Sequence, residues 1–400
     1  MQEHRHFSIN NLPIGMYSTA IKKKRPGIAV GDFILDLQNL SKLDFFKNIA
    51  PKKVFSQPTL NDYIALGPRA HTKILNKLKE LLTQKTTFYH QHRLNIFDAQ
   101  AQSIMHVPVA IGDYTDFYSS EEHAKNVGKM FRPDQDPLLP NWKHLPVAYH
   151  GRSSSIISTL TQVHRPSGQI KSDGKIIFSP TKKLDIEIEL GFIIGKENKL
   201  GELIPIDQAH EYIFGAVLLN DFSARDIQQW EYQPLGPFLS KNFATSISPW
   251  IVSIDVLRKY LTPAPIQHPE VLPYLRQKER NNFNIQIQFE IQTLLGNHKL
   301  VSSTNAKYVY WTVEQQIAHH TVNGCNLRIG DLLGTGTISG PEQGSYGSLL
   351  EITGNAAHEI KINSETRTYL SDGDTAILNG ICTNGTAQVG FGELINQIIH

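Results

Sequence analysis

Hydrophobic and polar positions alternate most strictly in two segments. Leu184, Ile186, Ile188 and Leu190 fall on one face of an extended stretch, and Asp185, Glu187 and Glu189 on the other. Phe283, Ile285, Ile287, Phe289 and Ile291 repeat the pattern and predict an antiparallel strand with no chemistry. Phe214 to Asp221, FGAVLLND, reads as a buried strand that ends in an acid. Ser348 to Ile352 reads as another strand, with Glu351 among apolar neighbours, where an acid is either paired or functional. The period changes at Pro68 to Gln84. There Ile74, Leu75, Leu78, Leu81 and Leu82 form one stripe and Pro68 suits the first turn of a helix. Ile28 to Val30 and Phe33 to Leu37 flank Gly31-Asp32 as a hairpin. Thr312 and Gln315 resemble a capping box for a helix through His320.

Asp113 to Arg132, DYTDFYSSEEHAKNVGKMFR, fits neither period. Ser119 or Ser120 is a candidate N-cap, with Glu121 and Glu122 in the first turn. One reading is a solvated loop and a capped surface helix. The other is a segment that aims Asp116, Tyr118, His123, Asn126 and Arg132 at a site.

The acids of LDIEIEL pose a similar choice. Alternate residues of a strand lie about 7 Å apart on one side, so these carboxylates repel. Either they form a wet sheet face neutralised by Lys182 and Lys183, or they hold a hard cation. Beyond the strand 214–221, Asp221, Arg225, Gln228 and Tyr232 are spaced to line one face of a helix, and Lys241 follows in a proline- and glycine-bearing loop. Tyr149, His150 and Arg152 are further polar candidates. His319 and His320 are adjacent, so they cannot both face one metal from a helix, and packing or capping is their reading. GTGTISG at 334–340 lacks the lysine and helix of a nucleotide loop, although Thr337 offers a hydroxyl or backbone donor.

Four hundred residues exceed one ordinary core, and the expectation is two domains, 1–106 and 107–400. The first looks like a small β-rich unit with a supporting helix. A net charge of +2 gives no reason to expect nucleic acid or membrane as partner. The one basic run, Lys22 to Arg25, precedes Pro26-Gly27 and reads as a solvated turn. Cys325 and Cys382 form no framework, which fits a reducing compartment. The N-terminus has no apolar leader and no run is long enough to span a bilayer, so the expectation is a cytoplasmic protein.

Taken in order, DYTDFYSSEEHA, PNWKHLPVAYHGR, LDIEIEL, NDFSARDIQQWEYQPLGPFLSKNFATSISPW, HHTVNGCNLRIGDLL, GTISGPE, SDGD and VGFG resemble the fumarylacetoacetate hydrolase family. NLPIGMYST and GDFILDL extend the likeness to the N-terminal part. The resemblance implies an α+β, mostly β fold: a small SH3-like N-terminal domain and a larger β-rich catalytic domain of roll or sandwich type. It implies a homodimer that hydrolyses 4-fumarylacetoacetate to fumarate and acetoacetate, the last step of tyrosine and phenylalanine breakdown. By resemblance, Asp116, Glu187, Glu189 and Asp221 hold calcium or magnesium. His123 is the base and Glu351 its orienting partner. Arg225, Gln228 and Lys241 face the departing carbanion. Tyr118, Arg132, Tyr149, Gln228, Tyr232 and Thr337 grip the substrate. A second ion site involves Lys241 and Thr245. There the chain has Ala244 where the family usually has glycine, which would strain a positive φ.

The chemistry suits these residue types. Cutting a carbon–carbon bond beside a ketone needs an activated water and a place for enolate charge. A hard cation polarises the carbonyls, a histidine backed by a carboxylate takes the proton, and cationic or amide donors meet the enolate. Two other readings remain. One is an enzyme of the same fold acting on another β-dicarbonyl acid, an acylpyruvate or oxaloacetate, by hydrolysis or decarboxylation. The other is a non-catalytic, calcium-stabilised binding protein.

Overall fold

The computed structural model describes residues 4–385 and 387–400. The strand Ile213–Asp221 lies at its centre, and its sequence explains why. Ala216, Val217, Leu218 and Leu219 are all fully buried. Successive strand side chains point to opposite faces, so an unbroken apolar run needs cover on both. On one side, Ala216 and Leu218 share a core with Ile285, Ile287, Phe289 and Ile291. These belong to a five-stranded sheet ordered His298–Asn305, Ile285–Gln292, Thr375–Asn384, Ala387–Ile399 and Val163–His164. On the other side, Val217 and Leu219 pack in one cluster with Ile74, Leu75, Leu78, Leu81 and Leu82 of the helix Pro68–Gln84. Burying each such side chain contributes about 1.5–3 kcal/mol.

The central strand belongs to a long mixed sheet. Its order runs Phe97–Ala99, Phe33–Asp36, Arg25–Val30, Ile14–Ser18, Trp250–Ser253, Ile213–Asp221, Ile188–Ile194, Leu332–Gly334, Tyr114–Phe117 and Ala148–Gly151. The N-terminal part joins it by backbone pairing, with Ile14 opposite Ile251. The predicted hairpin is present, with Val30 opposite Phe33, and Gly31 supplies the φ of 57° that its turn requires. The helix Val313–Thr321 carries the predicted capping box of Thr312 and Gln315. Among the described residues no helix is long and apolar enough to cross a membrane.

Three sequence expectations are corrected. The segment 348–352 is not a strand but a short helical turn, Leu349–Ile352, with Ser348 as N-cap. Five apolar-rich residues carry no period that separates the two structures, and the Ser-x-x-Glu spacing decides for the turn. LDIEIEL is two strands, Leu184–Asp185 and Ile188–Ile194, with a break at Ile186-Glu187. Its acid face is not wet: Asp185, Glu187 and Glu189 are at most 5% exposed. Nor do Lys182 and Lys183 neutralise it, since Lys183 binds Asn355 instead. The basic run 22–25 is only partly solvated, because Lys22 pairs with Asp36 at 3.1 Å and Asp98 at 2.6 Å, and Arg25 with Asp36 at 3.3 Å.

Candidate active site

Four strand ends converge at one edge of the long sheet. Asp221 is the last residue of Ile213–Asp221, and Glu189 stands beside it on Ile188–Ile194, where Ile188 pairs with Asn220. Asp116 lies on Tyr114–Phe117, opposite Gly334. Gly334 occupies the strand between Asp116 and Glu189, and its lack of a side chain leaves them room. A methyl there would stand 2.5 Å from Asp116 Oδ1 and 3.1 Å from Glu189 Oε2. Glu187 enters from the break before Ile188, bridged to Ser348. One oxygen from each of these four acids lies within 4.8 Å of the others, and all four are buried.

The charges of this cluster are unevenly met. Lys241 Nζ donates to Asp221 Oδ2 at 2.8 Å and also to Glu187 Oε2. Arg225 Nη2 donates to Glu187 Oε1 at 2.8 Å. Tyr149 OH and Thr245 Oγ1 donate to Asp221, each at 2.7 Å. Burial works against the charge of Glu187, but Lys241, Arg225 and His123 outweigh it and hold that carboxyl far below the usual range. Among the described residues no cation pairs directly with Asp116 or Glu189. Burial and the neighbouring carboxylates push both far above it. Both accept from the Gly336 N–H, at 3.2 Å to Asp116 Oδ1 and 3.0 Å to Glu189 Oε2. Glu189 Oε1 is buried with no partner. Clustered hard oxygens with an orphaned lone pair fit a metal cation that takes oxygen ligands.

Beside this cluster sits a histidine–carboxylate pair. The helix Glu121–Phe131 starts at Ser120, whose hydroxyl accepts from His123 N–H at 3.4 Å. The segment 113–132 is no solvated loop: Asp116, Ser119, Ser120 and His123 are all buried, while Glu121 and Glu122 of the first turn are half-buried. His123 Nδ1 lies 2.7 Å from Glu351 Oε2. Glu351 also accepts from Asn126 at 2.9 Å, from Ser339 at 2.9 Å and from Ser348 at 2.8 Å. Burial opposes the Glu351 charge, but the His123 ring and these donors outweigh it and hold the carboxyl below its ordinary value. Tyr118 packs edge-on against His123, with ring centroids 5.3 Å apart.

The remaining predicted residues lie around these two groups with varied ties. Arg225 is buried and engaged, with Nε on Asp185 and Nη1 on Gln228 Oε1 at 3.0 Å. Thr337 Oγ1 is buried without a partner. Arg132 ends the His123 helix and donates from Nη2 to Pro137 O at 3.0 Å, while its Nε has no partner. Tyr232 is half-buried and faces Phe131 at 6.5 Å between ring centroids. Ala244 is not among the residues with positive φ, so it carries no strain, and it packs in the core. His320 turns to Thr115 and His319 to Tyr274, which agrees with packing roles on diverging directions.

The pattern for fumarylacetoacetate hydrolase C-terminal domains matches residues 113–399, and that for fumarylacetoacetase N-terminal domains matches residues 10–114. The chain belongs to the fumarylacetoacetate hydrolase family. Proteins named fumarylacetoacetase from Dictyostelium discoideum and Homo sapiens are each 46% identical to it. Those alignments cover 100% and 99% of this chain, and 96% and 97% of the relatives. A solved fumarylacetoacetate hydrolase from Exiguobacterium antarcticum has the same fold, with a TM-score of 0.53 at 16% identity over 97% of this chain and 99% of that one. A maleylpyruvate hydrolase from Sphingobium gives 0.51 at 15% identity over 96% and 99%. The family fold is thus an N-terminal domain followed by a larger β-rich one.

Sequence reading missed several members of this fumarylacetoacetate hydrolase site. Gly336 offers its N–H to the acid cluster, and its φ of 75° turns the chain beneath it. Ser339 ties the same loop to Glu351. A glycine loop read for nucleotides and for the Thr337 donor hides both roles. Ser348 was legible from its spacing to Glu351. Asp185 had no distinguishing signal, since it shares one alternation with Glu187 and Glu189.

Proposed function

We propose that this hydrolase cleaves the carbon–carbon bond of 4-fumarylacetoacetate with water, giving fumarate and acetoacetate as the last step of tyrosine and phenylalanine breakdown. One observation carries the reading: a buried histidine–carboxylate pair stands beside a buried four-acid cluster. A binding protein has no use for the pair. Family membership along the whole chain supports the substrate.

In this reading Asp116, Glu187, Glu189 and Asp221 hold calcium or magnesium, which when bound polarises the two carbonyl oxygens and takes up enolate charge. His123 removes a proton from water through Nε2, since Nδ1 is committed to Glu351. Glu351 fixes the ring tautomer and steadies the imidazolium. The resulting hydroxide adds to the ketone carbon. The adjacent carbon–carbon bond breaks, its electron pair leaves with acetoacetate as the enolate, the former ketone carbon becomes the new carboxyl of fumarate, and the enolate carbon takes the proton that His123 removed from water. Lys241, Gln228 and Arg225 supply donors on the enolate side. Arg225 and Lys241 are each already held by two carboxylates, so the Gln228 amide, whose N–H groups are not tied to an acid, carries more of this task. Tyr118, Arg132, Tyr149, Tyr232 and Thr337 orient the substrate, and the partnerless Thr337 hydroxyl and Arg132 Nε–H are suited to bind it.

A second ion near Lys241 and Thr245 belongs to the same reading, and the unstrained Ala244 does not oppose it. So does a functional division near residue 106, a cytoplasmic location and a homodimer. The two unpaired cysteines agree with a reducing compartment. Exposed Phe178 and Trp230 both neighbour Gln169, which pairs with Phe178 across two strands and accepts from Trp230 Nε1 at 3.3 Å. With Phe238 they offer a second subunit an apolar face.

Comparing turnover of fumarylacetoacetate, an acylpyruvate and oxaloacetate by the purified protein tests the substrate. Fumarate release far above the other two is expected. Preference for oxaloacetate or the acylpyruvate would replace the substrate and keep the site.

A further inference from the structure

Asp185 lies next to the acid cluster without belonging to it, and its side chain is fully exposed to four donors and to no solvent. Oδ1 accepts from Ile186 N–H and Leu349 N–H, each at 2.7 Å. Oδ2 accepts from Leu350 N–H at 2.9 Å and from Arg225 Nε at 2.8 Å. These donors come from the two halves of the site. Arg225 passes on to Glu187 with its other nitrogen, Nη2. Leu349 and Leu350 open the turn that carries Glu351, and Glu351 holds His123. The short pairing of Asp185 with Ser223, two residues before Arg225, sets the distance between carboxylate and guanidinium.

A carboxylate is the group this position needs. Its two oxygens accept all four bonds, whereas an amide offers one oxygen and brings two hydrogens of its own. An asparagine here leaves the donors on one side facing N–H groups. The guanidinium and the turn then lose their common reference, in a buried place where no water replaces it.

We propose that Asp185 is a positioning residue for the reaction. It fixes Arg225 on Glu187 and the Glu351 turn beneath His123 at once, so a single carboxylate sets the ion site and the base relative to each other. The catalytic half of this statement rests on the hydrolase reading above. The ion half does not.

The test is Asp185→Asn, read by calcium calorimetry and by kcat and KM for fumarylacetoacetate at saturating calcium. Losing the outer partner of a metal ligand weakens the metal or the activity by about 10–100-fold, and Asp185 holds such a partner, Arg225, on Glu187. The expected result is calcium binding weaker by about tenfold or more, with kcat about 10–100-fold lower even when calcium saturates, and KM within about threefold of the parent. Calcium affinity and kcat both within twofold of the parent would reduce Asp185 to a helix cap and overturn the proposal. A change confined to one of the two would overturn the coupling. Where Asp185→Asn does not melt cooperatively, Asp185→Glu is measured instead. It keeps the charge and moves it by one methylene, so positioning predicts the same double loss and charge alone predicts recovery. Failure of both variants to fold would make Asp185 a folding residue and overturn the proposal. A parent that binds calcium but leaves fumarylacetoacetate intact would sink the substrate reading, while weakened calcium binding in Asp185→Asn would still uphold the ion half.

Discussion

His123 and Glu351 are 228 positions apart in sequence and 2.7 Å apart in space, Nδ1 to Oε2. Asn126, Ser339 and Ser348 close the remaining approaches to that carboxylate. A carboxylate fastened in this way cannot turn aside, so the imidazole keeps one orientation, with Nδ1 committed to Glu351.

Removing the base tests that orientation. His123→Ala should lower kcat by about 10²–10⁴-fold or more, the usual worth of a positioned base. Calcium binding and the melting transition should survive, because three of the four acids lie on sheet strands, Glu187 lies in the break before one of them, and none lies on the His123 helix. Glu351→Gln should lose a similar order of kcat with KM little changed. Either variant turning over at more than about a tenth of the parent rate would remove the pair from the chemistry.

Gly334 makes a geometric prediction. Its backbone is ordinary, so Gly334→Ala adds no φ strain, yet the new methyl meets Asp116 and Glu189. The variant should melt cooperatively and bind calcium about 10–100-fold more weakly. Parent-like calorimetry would mean that those two acids are not ligands.

The same two acids predict opposite effects of metal and chelator. Asp116 has no cation of its own, so Asp116→Asn relieves repulsion in the chelated protein. Its melting temperature in chelator should equal or exceed that of the parent. The rise on adding calcium, large in the parent, should shrink or vanish. Differential scanning calorimetry with and without calcium reads both, and an undiminished calcium rise would contradict the assignment.

How much of this was legible in the sequence depends on the range of the interaction. The helix Pro68–Gln84 and the strand Ile285–Gln292 follow from their own periods, because each buries one continuous stripe. The four acids and His123 came from motif order, since nothing local distinguishes Glu187 from Asp185. Alternation put Asp185, Glu187 and Glu189 on one face, but the break at Ile186-Glu187 sends Asp185 away to Arg225 and the Glu351 turn. Ser348 to Ile352 read as a strand because five residues are too few to show a period. Lys22 read as solvated because its partners Asp36 and Asp98 are distant in sequence. Local patterns give elements, and the charge pairing that selects among them is set by the fold.

His71 supplies a pH prediction for the N-terminal part. It is buried against Tyr63, Nδ1 to OH at 2.8 Å, and burial lowers its pKa from 6.5 to about 4. Its folded pKa lies below its unfolded one, so the folded state resists the proton. The stability it guards is complete above about pH 6.5 and is lost as pH falls toward 4, by about 3 kcal/mol at most. Melting temperature should therefore fall across that window, and His71→Gln should flatten this part of the fall. An unchanged acid slope in the variant would assign the loss to other groups.

The most direct test of the whole account is the disappearance of fumarylacetoacetate absorbance with purified protein, before chelation, after it, and after calcium or magnesium is restored. The account predicts turnover that stops with thorough chelation and returns with either ion. Turnover indifferent to chelation would contradict the acid cluster as the ion site. No turnover with the ion restored would contradict the hydrolysis itself.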